Sequence, residues 1–174
     1  YETFRLRLFT PERMFVMTPA GDRDLDGDGL NDVSAPTTAA NLEAAIGDWA
    51  GTNRTDRLFL YLIGQGAGQS LTLNSGETVD AQTFAGWIDD FQNEHDIPVT
   101  VVLDFAGAAG FLKQVSKALE STDAVRILIA SSGLGEEAIF ANRGTASFTQ
   151  YFLTGIAAGQ TIGDAYQNAS KAVR

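Results

Sequence analysis

Three apolar runs constrain this chain more than anything else in it: Asp56-Arg-Leu-Phe-Leu-Tyr-Leu-Ile63, Val99-Thr-Val-Val-Leu103 and Val125-Arg-Ile-Leu-Ile-Ala130. Each is nearly continuous in hydrophobicity, where a strand with one wet face would alternate, so the first is expected to be a strand buried on both faces, the second another buried strand and the third a further strand. Segments of helical period lie between and after them. Thr37 or Thr38 can cap a helix carrying Ala39, Leu42, Ala45, Ile46 and Trp49 at three- and four-residue steps, and Asp80 can cap another carrying Phe84, Trp87, Ile88 and Phe91. Further helices are expected over Phe111 to Leu119, Ser147 to about Ala157, and Thr161 to Val173. Strands that alternate with helices imply right-handed crossovers, hence an α/β fold with a mainly parallel sheet and helices on both faces. Ligands in such sheets bind at the carboxyl ends of the strands.

The remaining segments are less regular. Tyr1 to Phe9 fits a strand through Phe4, Leu6 and Leu8 and a helix through Phe4 and Leu8, with Pro11 ending it either way. Met14-Phe-Val-Met17 suits a short buried strand. An acidic loop from 18 to 36, with Pro19 and Pro36 at its ends, follows. Gly64-Gln-Gly-Ala-Gly68 breaks the first apolar run, and Leu71-Thr-Leu73 with Asn-Ser-Gly-Glu after it reads as a hairpin. A dinucleotide-binding glycine loop would place its third glycine one residue later and open a helix, so this stretch reads as a tight turn. At 174 residues the chain is expected to be one domain, 1–174, with the loop at 22–33 as an insertion. Its first residues resemble neither a signal peptide nor an initiation site, so it reads as a piece of a longer protein.

Composition narrows the chemistry. There is no cysteine, which removes thiol nucleophiles, disulfides and cysteine-ligated metals, and His95 is the one histidine, set in a polar Asn-Glu-His-Asp-Ile-Pro turn. A Ser-His-Asp hydrolase would have to run through that residue alone. Twelve basic against 22 acidic residues give a net charge of −10, which repels nucleic acid and anionic membranes. No apolar run approaches the ~20 residues of a membrane span. The sequons at Asn53 and Asn168 carry no further argument.

Asp24-Leu-Asp-Gly-Asp-Gly-Leu-Asn-Asp32 is the strongest local motif. A calcium loop needs oxygen ligands at its first, third and fifth positions, a glycine at the sixth, a backbone carbonyl at the seventh and a carboxylate at the ninth. That frame assigns Asp24, Asp26, Asp28, Gly29, the Leu30 carbonyl and Asp32. Starting at Asp22 would put Leu30 in the ninth place. The bidentate acid usual at the twelfth position is absent, Ala35 standing there, so the loop is closer to the acidic calcium loops of secreted repeats than to an EF-hand. The alternative is a solvated acidic loop, whose aspartates would repel one another. Because calcium is scarce in the cytosol, the loop favours a secreted, periplasmic or cell-surface location.

Taken in order, several segments resemble the legumain-type peptidases of the caspase-like fold, especially those of bacterial surface and secreted proteins. Tyr61-Leu-Ile-Gly-Gln-Gly-Ala67 is similar to the family strand ending in His-Gly. Asp104-Phe-Ala-Gly-Ala-Ala109 stands where Asp-Ala-Cys-Tyr-Ser-Gly carries the nucleophile. Arg126-Ile-Leu-Ile-Ala-Ser-Ser132 resembles the family's Arg-Val-Val-Ile-Thr-Ser-Ser, and Gly144-Thr-Ala-Ser-Phe-Thr-Gln-Tyr-Phe152 with Gly159-Gln-Thr-Ile-Gly-Asp-Ala165 its closing helices. The resemblance implies a three-layer sandwich whose first strand is missing before Tyr1, lying upstream or on a separate chain with which this one would associate.

It also implies that the general-base histidine falls on Gln65 and the nucleophilic cysteine on Ala106, with Gly66 keeping the oxyanion-type backbone N–H. Glutamine exchanges no proton near neutral pH and alanine attacks nothing. The expectation is an inactive, calcium-stabilised peptidase-like domain that binds a peptide or protein, or serves as a structural module, with a cleft beside Asp104, Ser131 and Ser132. The alternative is an active hydrolase that recruits Asp104, Glu136, Glu137 or Ser132.

Overall fold

The computed structural model describes residues 1–53, 56–67, 69–116 and 124–173. From the amino terminus these form α1 (Glu2–Leu6), β1 (Met17–Thr18), β2 (Ala35–Pro36) and α2 (Ala39–Ala44), which runs through a π-helical stretch, Ala45–Trp49, into α3 (Ala50–Thr52). Then come β3 (Leu58–Ile63), β4 (Gln65–Ala67), β5 (Ser70–Asn74), β6 (Glu77–Asp80), α4 (Ala81–His95), β7 (Val99–Asp104), α5 (Ala108–Val115) and β8 (Arg126–Ala130). The chain closes with β9 (Phe140–Ala141), β10 (Ala146–Ser147), α6 (Phe148–Ala157) and α7 (Ile162–Ala172). The residues gather into two compact units, Thr38–Ala138 and Tyr1–Thr37 with Ile139–Arg174.

The Thr38–Ala138 unit is built on the parallel sheet β3-β7-β8, so the α/β class holds. All six residues of β7 are buried, as its unbroken Val99-Thr-Val-Val-Leu-Asp104 run requires of a central strand. β3 departs from that expectation. Phe59, Leu60 and Tyr61 are half-buried and Ile63 is 53% exposed, because β3 flanks β7 instead of lying between two strands of this sheet. Phe84, Ile88 and Phe91 of α4, with Phe105 and Phe111, fill the core. The remaining strands are antiparallel: β5 and β6 form the expected hairpin, and β4 pairs with β5. The sequence reading of Gly64 onward as a plain turn is therefore corrected for Gln65–Ala67; Gly68 lies outside the described residues. Small side chains carry little strand propensity, and here the ladder of Gln65, Gly66 and Ala67 against Thr72, Leu71 and Ser70 supplies the order instead.

Helix starts follow their caps. Thr38 Oγ1 accepts from Asn41 N at 3.1 Å, and Asp80 Oδ1 from Gln82 N and Thr83 N at 2.9 and 2.8 Å. α5 begins at Ala108, three residues before the expected start, and the end expected at Leu119 lies outside the described residues.

In the other unit α6 packs on α7, with Phe148 and Phe152 buried and stacked. Ser147 and Thr161, where these helices are expected to start, cap them. The ambiguous first segment is helical. α1 closes with a Schellman turn: Phe9 N bonds Phe4 O, Leu8 N bonds Arg5 O, and the Phe4 and Phe9 rings meet edge-on at 5.8 Å. Leu8 sits at φ +66 in the place glycine usually takes. The strand expected over Met14 to Met17 shrinks to Met17–Thr18, paired in parallel with Ala35–Pro36. No helix among the described residues is long and apolar enough to cross a membrane.

Candidate functional site

Two sites were legible in the sequence, and each lies within one unit. The first is at the carboxyl ends of β3 and β7. Ile63 is opposite Asp104, and Gly64 N bonds Asp104 O, so Gln65 and Ala106 each stand two residues beyond a paired strand end. The segments behind them touch: a Cβ on Gly66 would run into the Phe105 ring, which is fully buried and edge-on to Phe111 at 5.5 Å. Gln65 is exposed and Ala106 half-buried.

The turn from β7 into α5 is closed by its own neighbours. Gly107, at φ +74, donates its N–H to Glu136 O at 2.9 Å. Ala108 N donates to Ser132 Oγ at 3.1 Å, and Ala109 N to Ser132 O at 3.1 Å. Ser132 Oγ in turn donates its proton to Phe105 O at 2.7 Å. A hydroxyl that gives its proton to a main-chain carbonyl has no base to activate it, and at 6% exposure it does not reach a substrate. Asp104 is wholly buried. Ser131 N bonds Leu103 O, so Ser131 continues β8 alongside Asp104, and its buried Oγ has no hydrogen-bond partner among the described residues. Glu136 Oε2 accepts from Gly133 N at 2.7 Å, folding that side chain onto its own loop, while Glu137 is exposed. The structure thus assembles Gln65, Gly66, Asp104, Ala106, Ser131 and Ser132 at one end of one sheet. It adds the contact of the Phe105 ring with Gly66, which no periodicity in the sequence encodes.

The second site is the aspartate loop. Oxygens of Asp24, Asp26 and Asp28 lie within 4.8 Å of one another on the exposed surface. Oxygens bound to one calcium sit ~2.4 Å from it, hence at most ~4.8 Å apart, a limit the three carboxylates meet. Asp32 is not in that cluster. Its Oδ2 accepts from Leu25 N at 2.7 Å, and the Tyr1 phenol donates to it, which together hold its carboxyl below the ordinary range. The same bond, with desolvation and the negative charges of Asp32 and Asp26, pushes the Tyr1 phenol up to about 12. Leu30 points its side chain outward, 68% exposed.

Mutual repulsion in the loop is offset by main-chain donors, which the sequence argument for a cation did not count. Asp24 accepts from Gly27 N at 2.6 Å and Gly29 N at 2.9 Å, Asp26 from Asp28 N at 3.3 Å, and Asp28 from Leu30 N at 2.8 Å. Asn31 Oδ1 bonds the amides of Arg23 and Val33, pinning the base of the loop. Comparison with known protein families finds no matching family model, and comparison with curated proteins finds no match.

Proposed function

We propose that this chain is a catalytically inactive, peptidase-like domain of the legumain-type, caspase-like fold, a three-layer α/β sandwich that binds a peptide or protein or serves as a structural module of a secreted or cell-surface protein. The observation that carries this reading is the packing of the buried Phe105 ring on Gly66, next in sequence to Ala106 and Gln65, at the carboxyl end of a parallel sheet. A peptidase site would need a proton-exchanging group, a nucleophile and free amide donors there. This chain has glutamine, alanine, and amides already bonded to Ser132 and Glu136. A peptide-library cleavage assay tests it. No turnover is expected from the unmodified chain with calcium or with chelator, and turnover would overturn the reading. Cleavage by the Gln65→His/Ala106→Cys double variant would support both the fold and the lost dyad.

The same proposal assigns calcium to Asp24, Asp26 and Asp28, with the Leu30 carbonyl and water completing the shell and Asp32 bracing the loop through Leu25 N. Three carboxylates without the twelfth-position acid suit a modest affinity, in the range of extracellular sites. Titration calorimetry should show calcium uptake that Asp26→Ala abolishes. No heat, and a melting temperature indifferent to chelator, would remove the metal from the proposal.

A further inference from the structure

A strand at the edge of a sheet presents main-chain donors and acceptors with no partner in that sheet. Among the described residues β8 pairs with β7 alone, so one of its sides is such an edge. Val99 N donates to Val125 O and Ser131 N to Leu103 O, which turns the main-chain groups of the odd-numbered residues from Val125 to Ser131 toward β7. Those of Arg126, Leu128 and Ala130 point the other way, and no hydrogen bond reaches them among the described residues.

Native edges are blunted by projecting charges, by proline or by a bulge. β8 has none of these. Its register against β7 runs unbroken from Val99 opposite Arg126 to Leu103 opposite Ala130, and Ile-Leu-Ile-Ala follows Arg126. Arg126 carries the strand's charge, but its guanidinium is turned inward onto Gln92 Oε1, Val115 O and Asp89 Oδ1, leaving the side chain 10% exposed. Val125, just before the strand, is exposed. The edge is therefore apolar and undefended.

Hydrogen bonding and charge together select what can fill it. Alternating N–H and C=O groups along an open edge are matched by another extended chain. The Thr38–Ala138 unit holds 14 of the 22 acidic residues and 5 of the 12 basic ones, and the exposed Glu136 and Glu137 lie on the loop that follows β8. A second copy would bring the same negative charge to the edge, whereas a basic segment is drawn to it. We propose that the outer edge of β8 binds an extended segment of another protein, apolar and β-branched at its centre and flanked by Lys or Arg, which joins the sheet as a further strand. Arg126, Leu128 and Ala130 supply the main-chain bonds, and the half-buried Ile127 a side-chain neighbour. This site is separate from the cleft beside Gln65 and Ala106. It stands whether or not the peptidase-like reading does, because its test reads protection of β8 and not cleavage.

The probe is a synthetic peptide, Lys-Lys-Val-Thr-Ile-Thr-Val-Lys-Lys, added to the full chain while hydrogen exchange of single amides is followed by NMR. Without peptide, the Leu128 and Ala130 amides should exchange faster than those of Ile127 and Ile129, which face β7. With the peptide at about ten times its dissociation constant, exchange at Leu128 and Ala130 should slow about tenfold. The same core with Glu for each Lys should leave both rates unaltered. The basic peptide N-methylated along its centre keeps its charge but loses the donors of a strand, and it should fail as well. The proposal is overturned if the basic peptide slows neither amide, or if the N-methylated or Glu-flanked peptide slows them equally. It is also overturned if both amides are already protected without peptide; protection that grows with the concentration of the chain would identify a second copy as the occupant.

Discussion

The contact between Gly66 and Phe105 can be weighed by a double-mutant cycle. Phe105 is fully buried, so Phe105→Ala removes roughly 150 Å² of apolar surface or more from the core, worth about 4 kcal/mol at ~25 cal/mol per Å². That falls within the ~3–5 kcal/mol usual for a buried Phe→Ala change. Gly66→Ala acts in the opposite sense, by overfilling. The added methyl would overlap the Phe105 ring, which cannot tilt away without moving Phe111, itself against Phe84 at 5.4 Å. Such overpacking costs about 1–3 kcal/mol. Once the ring is gone the same methyl meets space, and alanine in place of a strand glycine should gain about 0.5–1 kcal/mol. The two changes should therefore couple by about 2–3 kcal/mol, the double variant being more stable than the sum of the singles. Urea unfolding followed by tryptophan fluorescence is the right assay, since the chain's two tryptophans, Trp49 and Trp87, both belong to the Thr38–Ala138 unit. Additivity within ~0.5 kcal/mol would refute the packing of Phe105 on Gly66.

Three further outcomes follow from other parts of the molecule. Asp80→Ala should cost about 1 kcal/mol through loss of the α4 cap; the bonds from Thr83 and Gln82 lower the Asp80 carboxyl, so its contribution is present above ~pH 4 and lost as the pH falls through the lowered folded value, and the gap between native and variant melting temperatures should close there. Arg126 donates to Gln92 Oε1, Val115 O and Asp89 Oδ1, each at 2.8 Å, and Gln92 is fully buried. Arg126→Met should cost about 2–3 kcal/mol in urea unfolding, mostly from the stranded Gln92 and Val115 oxygens, because Asp89 is 35% exposed and screened; a cost below ~0.5 kcal/mol would deny that network its role. Leu8→Gly should stabilise α1 by about 1 kcal/mol, since Leu8 is 89% exposed at φ +66 and loses little burial, and slower hydrogen exchange of the Phe9 amide would register it.

What could be read from the residues was whatever local chemistry decides alone. Thr38 and Asp80, read as caps, and Ser147 and Thr161, read as helix starts, each accept an amide of the first helical turn, because a short oxygen-bearing side chain before an apolar stripe has few better uses. Val99 to Asp104 announced a central strand for a similar reason, having no polar face to leave wet. The misses came where a long-range partner decides. Gln65–Ala67 is a strand because β5 lies beside it, and β3 is half-buried because of its place in the strand order. α1 is closed by Leu8 in a glycine's conformation, held there by the Phe4–Phe9 contact and two main-chain bonds that outweigh its intrinsic preference. Of the aspartates in the loop, three converge as the spacing suggests, while Asp32 is claimed by Tyr1, thirty-one positions away.

On the reading proposed above, the strand-end turn shows why a lost nucleophile would stay lost. A working site keeps amides, hydroxyls and carboxylates incompletely satisfied so that a substrate can complete them, and stability is forfeited in proportion. Here the amides of Gly107, Ala108 and Ala109 are taken by the Ser132 and Glu136 segments, the Ser132 proton goes to Phe105 O, and an aromatic ring lies against the glycine of the neighbouring strand. Each of these contacts contributes to folding, and each would have to be broken before a substrate carbonyl could be polarised. Placing histidine at Gln65 and cysteine at Ala106 restores side chains but leaves the amides of Gly107, Ala108 and Ala109 bonded. Any turnover by that double variant should therefore be slow, and Ser132→Ala should not raise it, because Ala108 N still has Phe105 O at 3.2 Å to donate to; a rise would show that the Ser132 hydroxyl alone had held the turn closed.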